Sequence, residues 1–219
     1  DVKRRVEKSL RRCVEWSQQG SHRRVLNEVE RARALIEDNP QLEAQVLMWK
    51  AQALIALGCP ERALPAATRS WELDASPHSC HLMSVALHGL GEADRSEDLL
   101  RMGCRLFPDA VHIPLQLAMI LTDQGRVPEA IDTLDQVMPG EDIPEELQVF
   151  LVGLQANLLA SVGRWREADS LLREAMQQHP EASLLQETQE SLQRGWMRSR
   201  AERAPPDRFR PWIGQGQQK

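Results

Sequence analysis

Three histidines and a cysteine fall within one short stretch: His78, Cys80, His81 and His88. Imidazole and thiolate are the ligands zinc prefers, and imidazole also exchanges protons near neutral pH. On a helix His78 and His81, three residues apart, share a face. His88 lies almost three turns from His78, too far to close a tetrahedral site around one ion. The cluster reads as polar lining of a surface, and no metal is assigned to it. Carboxylates pair at Glu141/Asp142 and Glu145/Glu146. The second pair suits the first turn of a helix, whose positive end favours acids. Cys13, Cys59, Cys80 and Cys104 form no CxxC and match no zinc or disulfide spacing, so they are expected to be small apolar fillers in a reducing compartment. That makes the cytoplasm the expected location. No GxSxG, GxxxxGK[ST] or GxGxxG occurs, and neither a catalytic residue nor a cofactor is expected.

The 219 residues are 42% hydrophobic and 27% charged, ordinary for a globular chain. No apolar run is long enough to span a bilayer, so membrane insertion is not expected. No secretory signal is visible, and the start at Asp1 reads as a trimmed N-terminus. The net charge of −5 is unevenly spread. Residues 1–12 and 194–210 each carry +4, Lys219 adds one, and 13–193 carry −14. An acidic body repels phosphate backbones, which argues against nucleic acid as a partner.

The elements that position these residues announce themselves by repetition. AQALIALGCPERAL (51–64), SVALHGLGEADRSEDL (84–99), LAMILTDQGRVPEAI (117–131) and QANLLASVGRWREAD (155–169) share one pattern. An apolar helical run ends at Gly58, Gly91, Gly125 or Gly163, and a small residue follows five positions later: Ala63, Ser96, Ala130 or Ala168. The glycines are 33, 34 and 38 residues apart. A weaker copy lies upstream, with Gly20, Cys13 at a small position and Trp16 at a large one. Small residues let paired helices cross closely, large ones fill the space beside the crossing, and glycine supplies the left-handed turn. Residues 181–199 read as one more amphipathic helix, and 201–219 as a flexible tail holding Arg208, Phe209, Arg210, Pro211, Trp212 and Ile213.

This pattern resembles the tetratricopeptide repeat family, over nearly the whole chain. With each loop glycine set at consensus position 15, position 8 is Ala51, Ser84, Ala118 and Ala156, and position 11 is Leu54, Leu87, Leu121 and Leu159. Position 24 is Ala67, Leu100, Leu134 and Leu172. The resemblance implies an all-α, right-handed α-solenoid over 1–200, with hairpins at about 6–40, 44–76, 77–110, 111–143 and 149–180 and a capping helix at 181–199. Departures are the absence of Tyr and Pro65 within a second helix, which should cost a hydrogen bond and bend it.

In this family the first helices of successive repeats line a concave, peptide-binding surface. The resemblance assigns to it Met48, Trp49 and Gln52 of repeat two, then His81, Leu82, Val85 and His88 of repeat three. Repeat four adds Leu115, Gln116 and Met119, and repeat five adds Phe150, Leu154 and Asn157. The Lys/Asn/Arg clamp with which co-chaperone members hold a C-terminal carboxylate is absent: Met48, Gln52, Leu82, His112 and Gln116 stand in its places. The expected function is a protein-interaction scaffold that grips an apolar peptide or helix, in assembly or chaperoning, with self-association open. A recognition arm of a larger enzyme and a cell-envelope assembly factor are the alternatives.

Overall fold

The computed structural model describes residues 2–36, 38–137 and 143–203, the side chains as far as 199. The loop residues 138–142 and the tail 204–219, with its Phe209 and Trp212, lie outside the described residues. Eleven helices and no strand occur among the described residues. They are α1 (Val2–Gln18), α2 (His22–Arg33), α3 (Pro40–Ala56), α4 (Pro60–Leu73), α5 (Pro77–Gly89), α6 (Ala93–Leu106), α7 (His112–Asp123), α8 (Val127–Asp135), α9 (Glu145–Ser161), α10 (Trp165–Gln178) and α11 (Ser183–Arg203). They form five hairpins and a closing helix. Two compact units divide the chain, residues 1–141 with α1–α8 and residues 142–219 with α9–α11.

The hairpin turn is one device used five times. Gly20, Gly58, Gly91, Gly125 and Gly163 all have φ between +68° and +83°, a region that costs a residue with a Cβ but not glycine. The residue after each glycine donates its amide to the carbonyl of Trp16, Leu54, Leu87, Leu121 or Leu159, at 2.7–3.0 Å. Each glycine donates to the residue three before it, at 2.9–3.0 Å. Both bonds together make the Schellman closure, which satisfies carbonyls that a helix end would otherwise leave bare. The acceptors form the large-residue series, so one side chain fills the hairpin while its backbone ties the turn.

Packing follows the small-and-large pattern. Ala51, Ser84, Ala118 and Ala156 in the first helices are fully buried, as are Ala63, Ser96, Ala130 and Ala168 in the second. Leu54, Leu100, Leu121, Leu134 and Leu172 fill the adjoining space. Starts are set by caps: Asn39 accepts the Leu42 amide at 3.0 Å ahead of Pro40, and Ser76 and Ser79 form a capping box ahead of Pro77. Arg126 and Arg164 each bind the glutamate three residues on, Glu129 and Glu167, through two contacts of 2.6–2.8 Å. Pro65 sits on an exposed position, and α4 continues through it without interruption.

Within the first unit the odd helices form one layer: α1 meets α3, α3 meets α5 and α5 meets α7, while α2, α4 and α6 each pack against the odd helices before and after them and α8 packs against α7. Direct contact between odd helices places them on the inside of the stack. The layers differ in chemistry. α3, α5 and α7 are apolar on most sides, whereas α1, α2, α4, α6 and α8 carry a polar outer face. A helix apolar all round must be covered on all sides or hold an apolar face toward something else. In the second unit α9 is the apolar helix, and α10 and α11 pack against it and each other.

Candidate functional site

The positions that the repeat register assigns to the inner face of the odd layer are, apart from Leu82, at least partly exposed in the first unit, and none of them is Asp, Glu, Lys or Arg. On α3 these are Met48, Trp49 and Gln52, all partly exposed. Met48 packs beside the core of Leu47, Ala51, Ala66 and Ala67, and Trp49 against the core of Val6, Cys13, Val29 and Val46. α5 adds His81, Val85 and His88, again partly exposed. α7 adds Leu115, Gln116 and Met119, of which Met119 is the most open, at 47%.

Leu82 departs from the sequence expectation. It is 4% exposed and packs with Leu47, Ala51, Ala66 and Ala67, so it is core rather than lining. The reason lies in α5 itself: with apolar residues on most sides, a one-position rotation separates the side chain aimed at α4 from its neighbour aimed outward.

The histidines also group differently from their order in sequence. His81 lies 6.4 Å from His78 and 5.7 Å from His112 on α7, ring centre to ring centre, the second pair edge to face. His88 instead points its Nε2 at the Asp123 carboxylate, 3.5 Å away. Burial, then the neighbouring His112 and His78, press the His81 pKa down to about 4, and burial with His112 lowers that of His78. His81 is therefore neutral at physiological pH and serves the face as an uncharged donor and acceptor. The signal that His112 joins this group was present in the sequence, since His78 and His112 hold the same position in successive repeats. Among the described residues no group of three or more His, Cys, Asp and Glu could hold a metal ion. Burial raises the Cys13 and Cys80 thiols to about 11, which leaves them protonated and unreactive at neutral pH.

In the second unit Phe150 and Asn157 are exposed on α9, Phe150 at 45%, and Leu154 is half-buried between them. They form a short strip on that helix alone. Glu145, in the first turn of α9, meets the His179 ring at 3.0 Å, a contact between helix ends rather than an acid/base pair.

No protein-family model matches the sequence. No curated protein matches it either. Solved structures do. A thermophilic TPR protein from Thermus thermophilus aligns at 22% identity with a TM-score of 0.65, over 85% of this chain and 98% of its own. A tetratricopeptide repeat protein from Parabacteroides merdae aligns at 14% identity and 0.66, over 91% and 77%. PilF of Pseudomonas aeruginosa aligns at 10% identity and 0.66, over 92% and 99%. The chain is a helical-repeat protein. Its fold is that of the tetratricopeptide repeat.

Proposed function

We propose that this protein is an interaction scaffold without catalysis of its own, and that the inner face of its first unit binds an apolar segment of another protein, helical or extended. The observation that carries this reading is Met119. It is a large apolar side chain nearly half open to water, on α7 at the edge of an uncharged set with Leu115 beside it, Val85 on α5, and Met48 and Trp49 on α3. Leaving such a strip wet costs free energy that a partner recovers by covering it. Methionine adapts to a partner's shape, tryptophan gives a rigid anchor, and Gln52, Gln116 and His81 offer hydrogen bonds that fix register. Desolvation rather than ion pairing should dominate the affinity, so high salt should leave it nearly unchanged.

The test is a pull-down from source-cell extract with the full chain, repeated with Met119→Glu and Trp49→Ala. A partner held by the parent should be lost with Met119→Glu and weakened with Trp49→Ala, while both variants keep the parent's circular dichroism. Retention of the partner by both folded variants would place binding elsewhere and sink the reading.

A further inference from the structure

The first unit carries opposite charges at its two ends. α1 and α2 hold ten Lys/Arg against four Glu, while residues 92–135 hold nine acids against four Arg. On α1 the basic side chains form a stripe. At 100° per residue Arg4, Arg5, Lys8, Arg11 and Arg12 fall within an arc of about 120°, over about 12 Å of helix. All five are exposed, and the opposite face buries Val6, Ser9 and Cys13. Arg12 reaches Glu28 at 3.2 Å, but Arg5, Lys8 and Arg11 form no ion pair with a described residue. At the other end Asp94 and Asp98 on α6 and Asp132 on α8 point away from the buried side of their helices, exposed and without a described cation. Glu97 and Glu129 beside them are already joined to Arg101 and Arg126.

These ends cannot neutralise each other within one copy. α1 is linked to α7 through α3 and α5, three helix spacings or about 25–30 Å, well beyond a screening length of about 8 Å at physiological salt. Each end therefore stays available to an outside charge. The fitting partner for the stripe is an acidic protein surface, and the chain supplies one itself. Residues 34–193 hold 25 acids against 10 bases, a surplus that repels phosphate-rich polymers and anionic lipid but welcomes the stripe of another copy.

We propose that two copies of this chain associate head to tail, the basic stripe of α1 in one lying on the acidic outer faces of α6 and α8 in the next. The contact uses different surfaces on the two copies, so it can extend beyond a pair. It leaves the inner face free and does not rest on the reading of that face.

Sedimentation velocity of the full chain should show oligomers at about 25 mM salt whose dissociation constant rises about tenfold or more by about 500 mM. The triple variants Arg4→Glu/Lys8→Glu/Arg11→Glu and Asp94→Lys/Asp98→Lys/Asp132→Lys should each be monomeric at low salt. Mixed together they should associate into hetero-oligomers, because the basic α1 of the second meets the acidic α6 and α8 of the first. All substituted positions are exposed, and circular dichroism confirms that the variants fold. A parent chain that stays monomeric up to about 100 µM at low salt overturns the proposal. So does a mixture that stays monomeric, or a parent whose stripe binds phosphatidylserine vesicles while the chain shows no self-association.

Discussion

The hydroxyl of Ser96 donates to the carbonyl oxygen of Ser84 at 2.8 Å, from the second helix of the third hairpin to the first, with both residues fully buried. These are the two small positions of the repeat, and the bond spans their crossing. Ser96→Leu, Ala130→Leu and Ala168→Leu should each destabilise the protein by about 1–3 kcal/mol through overpacking. Ser96→Ala keeps the volume and should cost only about 1 kcal/mol for the lost hydrogen bond. Urea unfolding followed by circular dichroism checks both. Leucine variants as stable as the parent would mean that these residues do not sit at the crossing.

Gly103 is a second close approach. A Cβ there would lie 2.7 Å from the Cys80 Sγ and 3.1 Å from Ile113 Cγ2. Gly103→Ala should therefore cost about 1–3 kcal/mol despite the better helix propensity of alanine. Removing the obstructing sulfur with Cys80→Ala should recover part of that loss in a double-mutant cycle. Gly125 differs: nothing lies within 4 Å of its Cβ site and its φ is +77°. Gly125→Ala should cost about 1 kcal/mol from backbone conformation alone, with no coupling to a neighbour.

Acid should destabilise the protein through His81 before it reaches the carboxylates. The folded pKa of about 4 lies below the ordinary histidine value of about 6.5. Above about 6.5 His81 is neutral in both folded and unfolded chains, and its full contribution is present. As pH falls from there toward about 4, the unfolded chain takes the proton and the folded chain refuses it, so stability is lost across that window. His81→Gln should flatten that part of the melting-temperature profile. An unchanged slope between pH 6.5 and 4.5 would contradict the burial of this imidazole.

Glu28 acts in a lower window. Burial would raise its carboxyl, but hydrogen bonds from Ser9 at 2.9 Å and Arg12 at 3.2 Å, with the charges of Arg12 and Arg31, bring it below the ordinary value. Its stabilising contribution is present above the usual glutamate pKa of about 4.3 and is lost as pH falls through its lower folded value. Glu28→Gln should lower the melting temperature at pH 7 and lose part of the acid-induced drop below about pH 4. Parallel curves for variant and parent would mean that Glu28 does not join α1 to α2 as a carboxylate.

The fold was legible because its rules are local. Four loop glycines stand five residues before a small residue, and these four together with Gly20 are the ones with positive φ. The upstream copy around Gly20, the faintest in sequence, closes by the same two hydrogen bonds as the others. The candidate site was less legible for a physical reason. On α3, α5 and α7 the apolar residues run round the whole helix, so periodicity cannot separate the face toward an even helix from the face toward the inside. Leu82 fell on the wrong side of that division and is buried, while its neighbour His81 stays partly exposed. The meeting of His81 with His112 depends on how α5 lies beside α7, which no local pattern encodes.

The proposed binding puts a protein segment on the inner face at Met119. A benzophenone amino acid placed at Met119 in the full chain, and separately at the outward Arg62 of α4, reports contact directly when irradiated in source-cell extract. Adducts to one protein at position 119 are expected, none to it at position 62, and loss of the adduct when Val85→Glu is added on the same face. Equal adducts at both positions, or an adduct at 119 that survives Val85→Glu in a folded chain, would place the binding elsewhere.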